Sequence, residues 1–106
     1  MRSWPIFAAL LAMTQGAAAQ VPPDPANGAK LATELCTNCH LVSREQKGPV
    51  LDGIPSFMAI AGWPGQDEAK IQNILVNPPH PVMPTPPLNE RQRADVAAYI
   101  LSLKPN

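Results

Sequence analysis

The segment Cys36-Thr37-Asn38-Cys39-His40 constrains the fold of this 106-residue chain more than any other feature. Its spacing, C-x-x-C-H, is the spacing at which a haem is covalently attached. Because the two cysteines lie about one helical turn apart, both thiols can reach one edge of a porphyrin, where each can add to a vinyl group. His40 follows directly and can place its imidazole under the iron as the proximal ligand. The motif therefore predicts a small redox protein built around one haem.

Three other interpretations of the motif remain open. A thioredoxin-like redox pair has the same cysteine spacing, but that motif belongs near a βαβ pattern, and no such pattern is visible. The chain has no second pair of cysteines, so a zinc site would need its only two histidines, His40 and His80, as the remaining ligands. The resulting Cys2His2 set would be unusually arranged. The motif could also occur by chance in a protein without haem.

Residues 1–19 have the organisation of a secretory signal peptide. A positive start at Arg2 precedes an apolar run, and the segment ends in three alanines that resemble a cleavage site. The apolar run is shorter than the about 20 residues that a membrane-spanning helix needs. We therefore expect cleavage after Ala19, a mature domain of residues 20–106 in the periplasm, and no stable membrane insertion. An uncleaved membrane anchor is the alternative.

The mature domain has little apolar material of its own. Its only aromatic residues are Phe57, Trp63 and Tyr99. A chain of this length is marginally stable on core size alone, and a covalently held haem would supply the missing apolar bulk. In an oxidising compartment, a disulfide between Cys36 and Cys39 is the alternative fate of the two thiols.

The charge balance excludes some classes of partner. The full chain has eight Lys and Arg residues against eight Asp and Glu residues, and the basic residues are scattered. This is not the profile of a nucleic-acid-binding protein. It is also not a lysine-rich surface that would attract acidic partners over long distances.

The pattern of apolar and capping residues predicts four helices and no strand. Asp24-Pro25 marks the start of the first helix, which runs into Cys36 and turns Leu31 and Leu35 inward. A short helix covers residues 55–61, and a third covers residues 67–76. The last begins after Asn89, with Gln92 as a capping-box partner, and ends near Pro105.

The order of these features resembles that of the small class I c-type cytochromes, over essentially the whole mature chain. C-x-x-C-H follows a first helix, and G-P-x-L-x-G follows at residues 48–53. Met83-Pro84 lies in a proline-rich loop, and the last helix contains Y-I-x-x-L at residues 99–103. The resemblance implies an all-α fold, the small cytochrome c fold, with three to five helices around one covalently attached haem c.

The resemblance also implies a role for each site residue. Cys36 and Cys39 would hold the haem, His40 would be the proximal iron ligand, and Met83 would be the distal ligand. The carbonyl of Pro49 would accept the Nδ1–H of His40 and so orient the imidazole.

Other residues compete for some of these roles. Met58, the other methionine of the mature chain, lies in a predicted helix and suits core packing. His80 could replace Met83 and give a bis-His haem, or could be an ordinary loop histidine. Trp63 could donate its indole N–H to a haem propionate or could simply pack.

These features predict an exported monohaem c-type cytochrome that acts as a one-electron carrier between periplasmic redox partners, and not an enzyme. The alternatives are a haem subunit of a periplasmic dehydrogenase complex and, if the distal site is open, a gas-binding or peroxidatic haem protein. The protein would be a monomer or a subunit of such a complex. The surface that meets the partner would be apolar and would include Val82 and Pro84.

Overall fold

A computed structural model describes residues 2–5, 21–78 and 83–105. It contains four helices, and these described ranges contain no strand, in agreement with the all-α fold class. None of the helices in these ranges is long and apolar enough to cross a membrane. Most of the predicted leader lies outside the described residues, so its cleavage stays a prediction. The helices are α1 (Pro25–Leu35), α2 (Phe57–Ala61), α3 (Glu68–Val76) and α4 (Glu90–Ser102).

Each helix begins where a side chain can accept a hydrogen bond from the free N–H groups of its first turn. Such a cap satisfies donors that have no partner within the helix. At α4, Asn89 and Gln92 exchange hydrogen bonds in a capping box, as the sequence predicts. The other three caps are Asp24 for α1, Ser56 for α2 and Asp67 for α3.

The core forms around α4, which contacts all three other helices. The closest approach is that of α1, because an ideal Cβ placed on Gly28 would overlap the Asp95 carbonyl oxygen and lie 2.8 Å from Tyr99 Cβ. Only glycine permits this contact. Leu35, which the sequence places on the inner face of α1, is 42% exposed. The spacing of apolar residues predicts which face of a helix points inward, but not how far the neighbouring helix extends along that face.

Asp95 connects the start of α1 to α4 and is only 2% exposed. Its Oδ1 accepts the Asp24 N–H at 2.8 Å, and its Oδ2 accepts the Asn27 side-chain amide at 2.9 Å. Arg91 Nε lies 3.3 Å from Oδ1. Burial acts to raise the pKa of Asp95, but the two hydrogen bonds and the Arg91 charge outweigh it and hold that pKa below its ordinary value. The carboxylate is therefore ionised and paired at neutral pH.

Candidate haem-binding site

The C-x-x-C-H motif forms a turn that continues α1 beyond its last residue. The backbone N–H groups of Cys39 and His40 both donate to the Cys36 carbonyl, at 3.2 and 2.9 Å. Cys36 is half-buried and packs against the core, whereas Cys39 is exposed. Both thiols are free of a disulfide. The turn thus presents two unpaired thiols and one imidazole from five consecutive residues.

The pKa of Cys36 argues against a thiol-redox centre. Burial and, secondly, the neighbouring Cys39 raise the pKa of the Cys36 thiol. Reactive cysteines of thioredoxin-like motifs instead have a lowered pKa, because the thiolate is the nucleophile. The described part of the chain also lacks the strands that such a motif accompanies. Neither observation supports the thioredoxin-like alternative.

A zinc centre has no support in the residues that the structure describes. Within them, no group of three or more His, Cys, Asp or Glu side chains is arranged to hold a metal ion. His80, the second histidine that such a site would need, lies in the segment 79–82 outside the described residues.

The imidazole of His40 is oriented by a backbone carbonyl. Its Nδ1 lies 2.6 Å from the carbonyl oxygen of Pro55. Because a carbonyl can only accept a hydrogen bond, Nδ1 carries a proton, and in the neutral imidazole Nε2 then keeps its lone pair. This is the tautomer that a histidine needs in order to bind a metal through Nε2, with an acceptor that increases its donor strength. His40 therefore fits the role of a proximal iron ligand.

The prediction that the Pro49 carbonyl accepts the hydrogen bond from His40 is wrong, because the Pro55 carbonyl accepts it. Pro49 is exposed and lies on the outer part of the loop, where it lines a cleft beside His40. The Phe57 N–H donates to the Leu41 carbonyl at 2.9 Å, so the segment just before α2 runs alongside His40 and Leu41. That pairing brings the Pro55 carbonyl to the imidazole. The sequence signal for this arrangement is Pro55, which lies directly before a serine that caps α2 and an inward-facing aromatic residue.

The loop that follows His40 is tied to the end of α4. The Tyr99 hydroxyl donates to the Val42 carbonyl at 2.5 Å, and Arg44 Nη2 donates to the Leu103 carbonyl at 2.8 Å. Burial, followed by the charge of Glu45, raises the pKa of Tyr99, so its hydroxyl remains a donor at neutral pH. These contacts hold the segment after the motif in a fixed position.

A cleft of about 240 Å³ opens beside the motif. Two apolar side chains at its loop, Val50 and Leu51, are 57% and 46% exposed. Exposed apolar side chains on the loop that follows two free thiols and an oriented imidazole suit a covalently attached porphyrin. The residues present therefore fit a haem. The cleft is lined by Thr37, Asn38, Cys39, His40, Leu41, Gln46, Lys47, Gly48, Pro49 and Leu51.

Met58 and Met83 are the two candidates for the distal ligand, and both are partly buried. Both pack against the core. Burial does not separate them, and the preference for Met83 rests on its place in the loop before α4. Trp63 is exposed, and its role stays a prediction. His80 and Val82 lie outside the described residues.

Comparisons with known proteins show the family of the chain. The family model described as cytochrome c matches residues 25–104. Cytochrome c-552 of Bradyrhizobium diazoefficiens is 36% identical over 96 residues, which cover 91% of this chain and 90% of that protein. No solved structure matches the chain. The match to the family model and to this relative shows that the chain belongs to the cytochrome c family, as a small class I, monohaem electron-transfer protein with covalently bound haem c.

Proposed function

We propose that this protein is an exported one-electron carrier that passes electrons between periplasmic redox proteins. In this proposal residues 1–19 are a signal peptide that is removed on export, and residues 20–106 are the working domain. The organisation of the leader supports export.

We propose that Cys36 and Cys39 hold the haem as thioethers and that His40 and Met83 bind its iron. The observation that carries the proposal is the hydrogen bond from His40 Nδ1 to the Pro55 carbonyl, because it orients the ring and leaves Nε2 available to bind the iron. When bound, the haem supplies one-electron chemistry at its iron. The chain supplies the attachment and the two ligands.

If His40 and Met83 both bind the iron, the haem would have no position left for a substrate. This favours an electron carrier over an enzyme or a gas-binding protein. A soft methionine thioether as one ligand raises the reduction potential relative to two histidines.

We propose that the partner docks at the exposed edge of the cleft. Cys39, Val50 and Leu51 are exposed there, and Pro84 is exposed beside Met83. The basic and acidic residues of the chain are balanced in number, so long-range attraction would add little to the encounter rate. The rate constant with a redox partner should change only mildly between low and high salt. A steep fall with rising salt would contradict an apolar docking surface.

Acid and organic solvent test the attachment. The haem of the exported protein should remain with the chain after this treatment, because two thioether bonds hold it. A Cys36→Ala, Cys39→Ala variant should release or lack it, whereas Thr37→Ala, between the two thiols, should keep it. Free extraction from the wild type would mean that the cysteines do not carry a covalent haem.

Carbon monoxide tests the distal ligand. Met83→Ala should open the distal position, lower the reduction potential and permit carbon monoxide to bind the reduced protein. Met58→Leu is the matched control and should leave the optical spectrum intact. The reverse pattern would assign the ligand to Met58, and sensitivity to His80→Ala alone would establish two histidine ligands. Binding of carbon monoxide by the wild type would favour a gas-binding protein.

The mass of the intact protein tests export. A periplasmic form that begins at residue 20 is expected. A form that keeps Met1 and is recovered with membranes would contradict cleavage.

A further inference from the structure

The hydrogen bond to Pro55 does not by itself fix the plane of the His40 imidazole. One hydrogen bond sets the direction in which Nδ1 points, but the ring can still tilt about that direction. A second contact is present on the ring. The Phe57 ring centroid lies 5.5 Å from that of His40, with the two planes at 51°. Rings at this separation and tilt are in favourable contact, so Phe57 restricts the tilt that the hydrogen bond leaves free.

Phe57 is itself held firmly enough to act in this way. It is 3% exposed, and its backbone N–H donates to the Leu41 carbonyl. On its other side, the Tyr99 ring lies 6.4 Å away at 61°. The Tyr99 hydroxyl is bonded to the loop that follows His40. Three rings therefore form a continuous row from His40 to α4, with backbone hydrogen bonds at both ends.

We infer that Phe57 is a positioning residue for the proximal ligand. Its ring keeps the His40 imidazole in the plane in which Nδ1 donates to Pro55, and so sustains the donor strength of Nε2 toward the iron. This inference rests on the proposed role of His40 as an iron ligand. Phe57 acts through His40.

The variant that tests the inference is Phe57→Leu, which keeps an apolar side chain in the core and removes the ring. A weaker hydrogen bond to Pro55 makes the imidazole a poorer donor, so the ferric state is less stabilised and the reduction potential rises. Exchange of the His40 Nδ1–H with solvent, measured by NMR in the ferrous protein, should accelerate by several-fold, up to roughly the tenfold that complete loss of one hydrogen bond would give. Phe57→Tyr retains the ring and should keep the wild-type values.

Ile100→Val is the control for general loosening of the core, since Ile100 is buried in α4. It should lower thermal stability without changing the potential or the exchange rate. If Phe57→Leu does not fold, Phe57→Met, which also lacks the ring, takes its place with the same expected results.

The outcomes separate this inference from the proposed function. A ring-deleted variant with the six-coordinate spectrum, the potential and the exchange rate of the wild type would overturn the role of Phe57 and leave ligation by His40 intact. A wild-type spectrum that survives His40→Ala would overturn the proposed ligation itself and, with it, the role of Phe57.

Discussion

Two regions of the molecule are stabilised in different ways. One is the contact between α1 and α4, and the other is the segment 36–56. Where the helices meet, Ala32, Val96 and Ala97 are almost completely inaccessible, and Asp95 makes three polar contacts. The segment 36–56 contains no helix, exposes apolar side chains, and is held by a few hydrogen bonds to α2 and α4. The chain by itself therefore supplies the packing of the first region. The second is shaped to receive apolar contacts from a covalently bound group.

The largest effect should follow from removal of the haem. In a Cys36→Ser, Cys39→Ser variant, the free energy of unfolding should fall by more than about 4 kcal/mol, the range associated with loss of a cross-linking or metal group. Amide hydrogen exchange should show that residues 41–56 lose protection first, while α1 and α4 retain more. Equal loss of protection in both regions would remove the distinction between them.

Gly28→Ala should have the next largest effect, because its Cβ would overlap backbone atoms of α4 that have no room to move. We expect a loss of about 3 kcal/mol in the free energy of unfolding, measured with urea. Gly62→Ala is the matched control. Its new Cβ would have its nearest neighbours at 3.6 Å, an ordinary contact distance, and its cost should stay below about 0.5 kcal/mol. Similar costs at the two glycines would show that the helices are not in close contact.

Asp95→Asn should lower the free energy of unfolding by about 2 kcal/mol, as expected for hydrogen bonds to a buried charge. The substitution removes the charge that faces Arg91 and replaces one acceptor oxygen by a donor. The effect should be visible by urea unfolding at neutral pH. An unchanged midpoint would mean that the polar contacts between α1 and α4 contribute nothing net.

The same carboxylate gives a pH dependence of defined sign. The pKa of Asp95 is lowered in the folded state, so its contribution is fully present above the ordinary aspartate value of about 4. It is lost as the pH falls through the lower, folded-state pKa. The wild type should therefore lose more stability than Asp95→Asn on acidification from about pH 5 to about pH 2. Parallel pH profiles for the two proteins would contradict this.

The helix caps should give the smallest effects. Asn89→Ala removes the capping box of α4, on which the other helices pack, and should cost about 1 kcal/mol. Ser56→Ala removes the cap of the five-residue α2 beside the cleft and should cost about 0.5 kcal/mol, because the Phe57 N–H remains bonded to Leu41. Its effect should appear mainly as faster exchange of the Ala59 amide. A greater loss of stability for Ser56→Ala than for Asn89→Ala would contradict the expectation that the contact between α1 and α4 depends more on the chain's own packing than the region beside the cleft does.

Much of the fold could be predicted because its signals are local. Asp24, Ser56, Asp67 and Asn89 each cap a helix through hydrogen bonds that span two or three residues. The spacing of C-x-x-C-H indicated a haem, and the family comparison confirms covalently bound haem c. Ligation by Met83 stays a prediction, because burial does not distinguish it from Met58.

The four helices and the five residues of the haem-attachment motif could be predicted from the sequence, because both depend on groups close together in the chain. The packing of the chain selects the carbonyl that orients His40, since Pro49 and Pro55 both follow it within one loop and only the pairing of Phe57 with Leu41 brings Pro55 to the imidazole. It also brings Asp95 to Asp24, 71 positions away. Such contacts depend on how the helices pack, and local preferences do not contain that information.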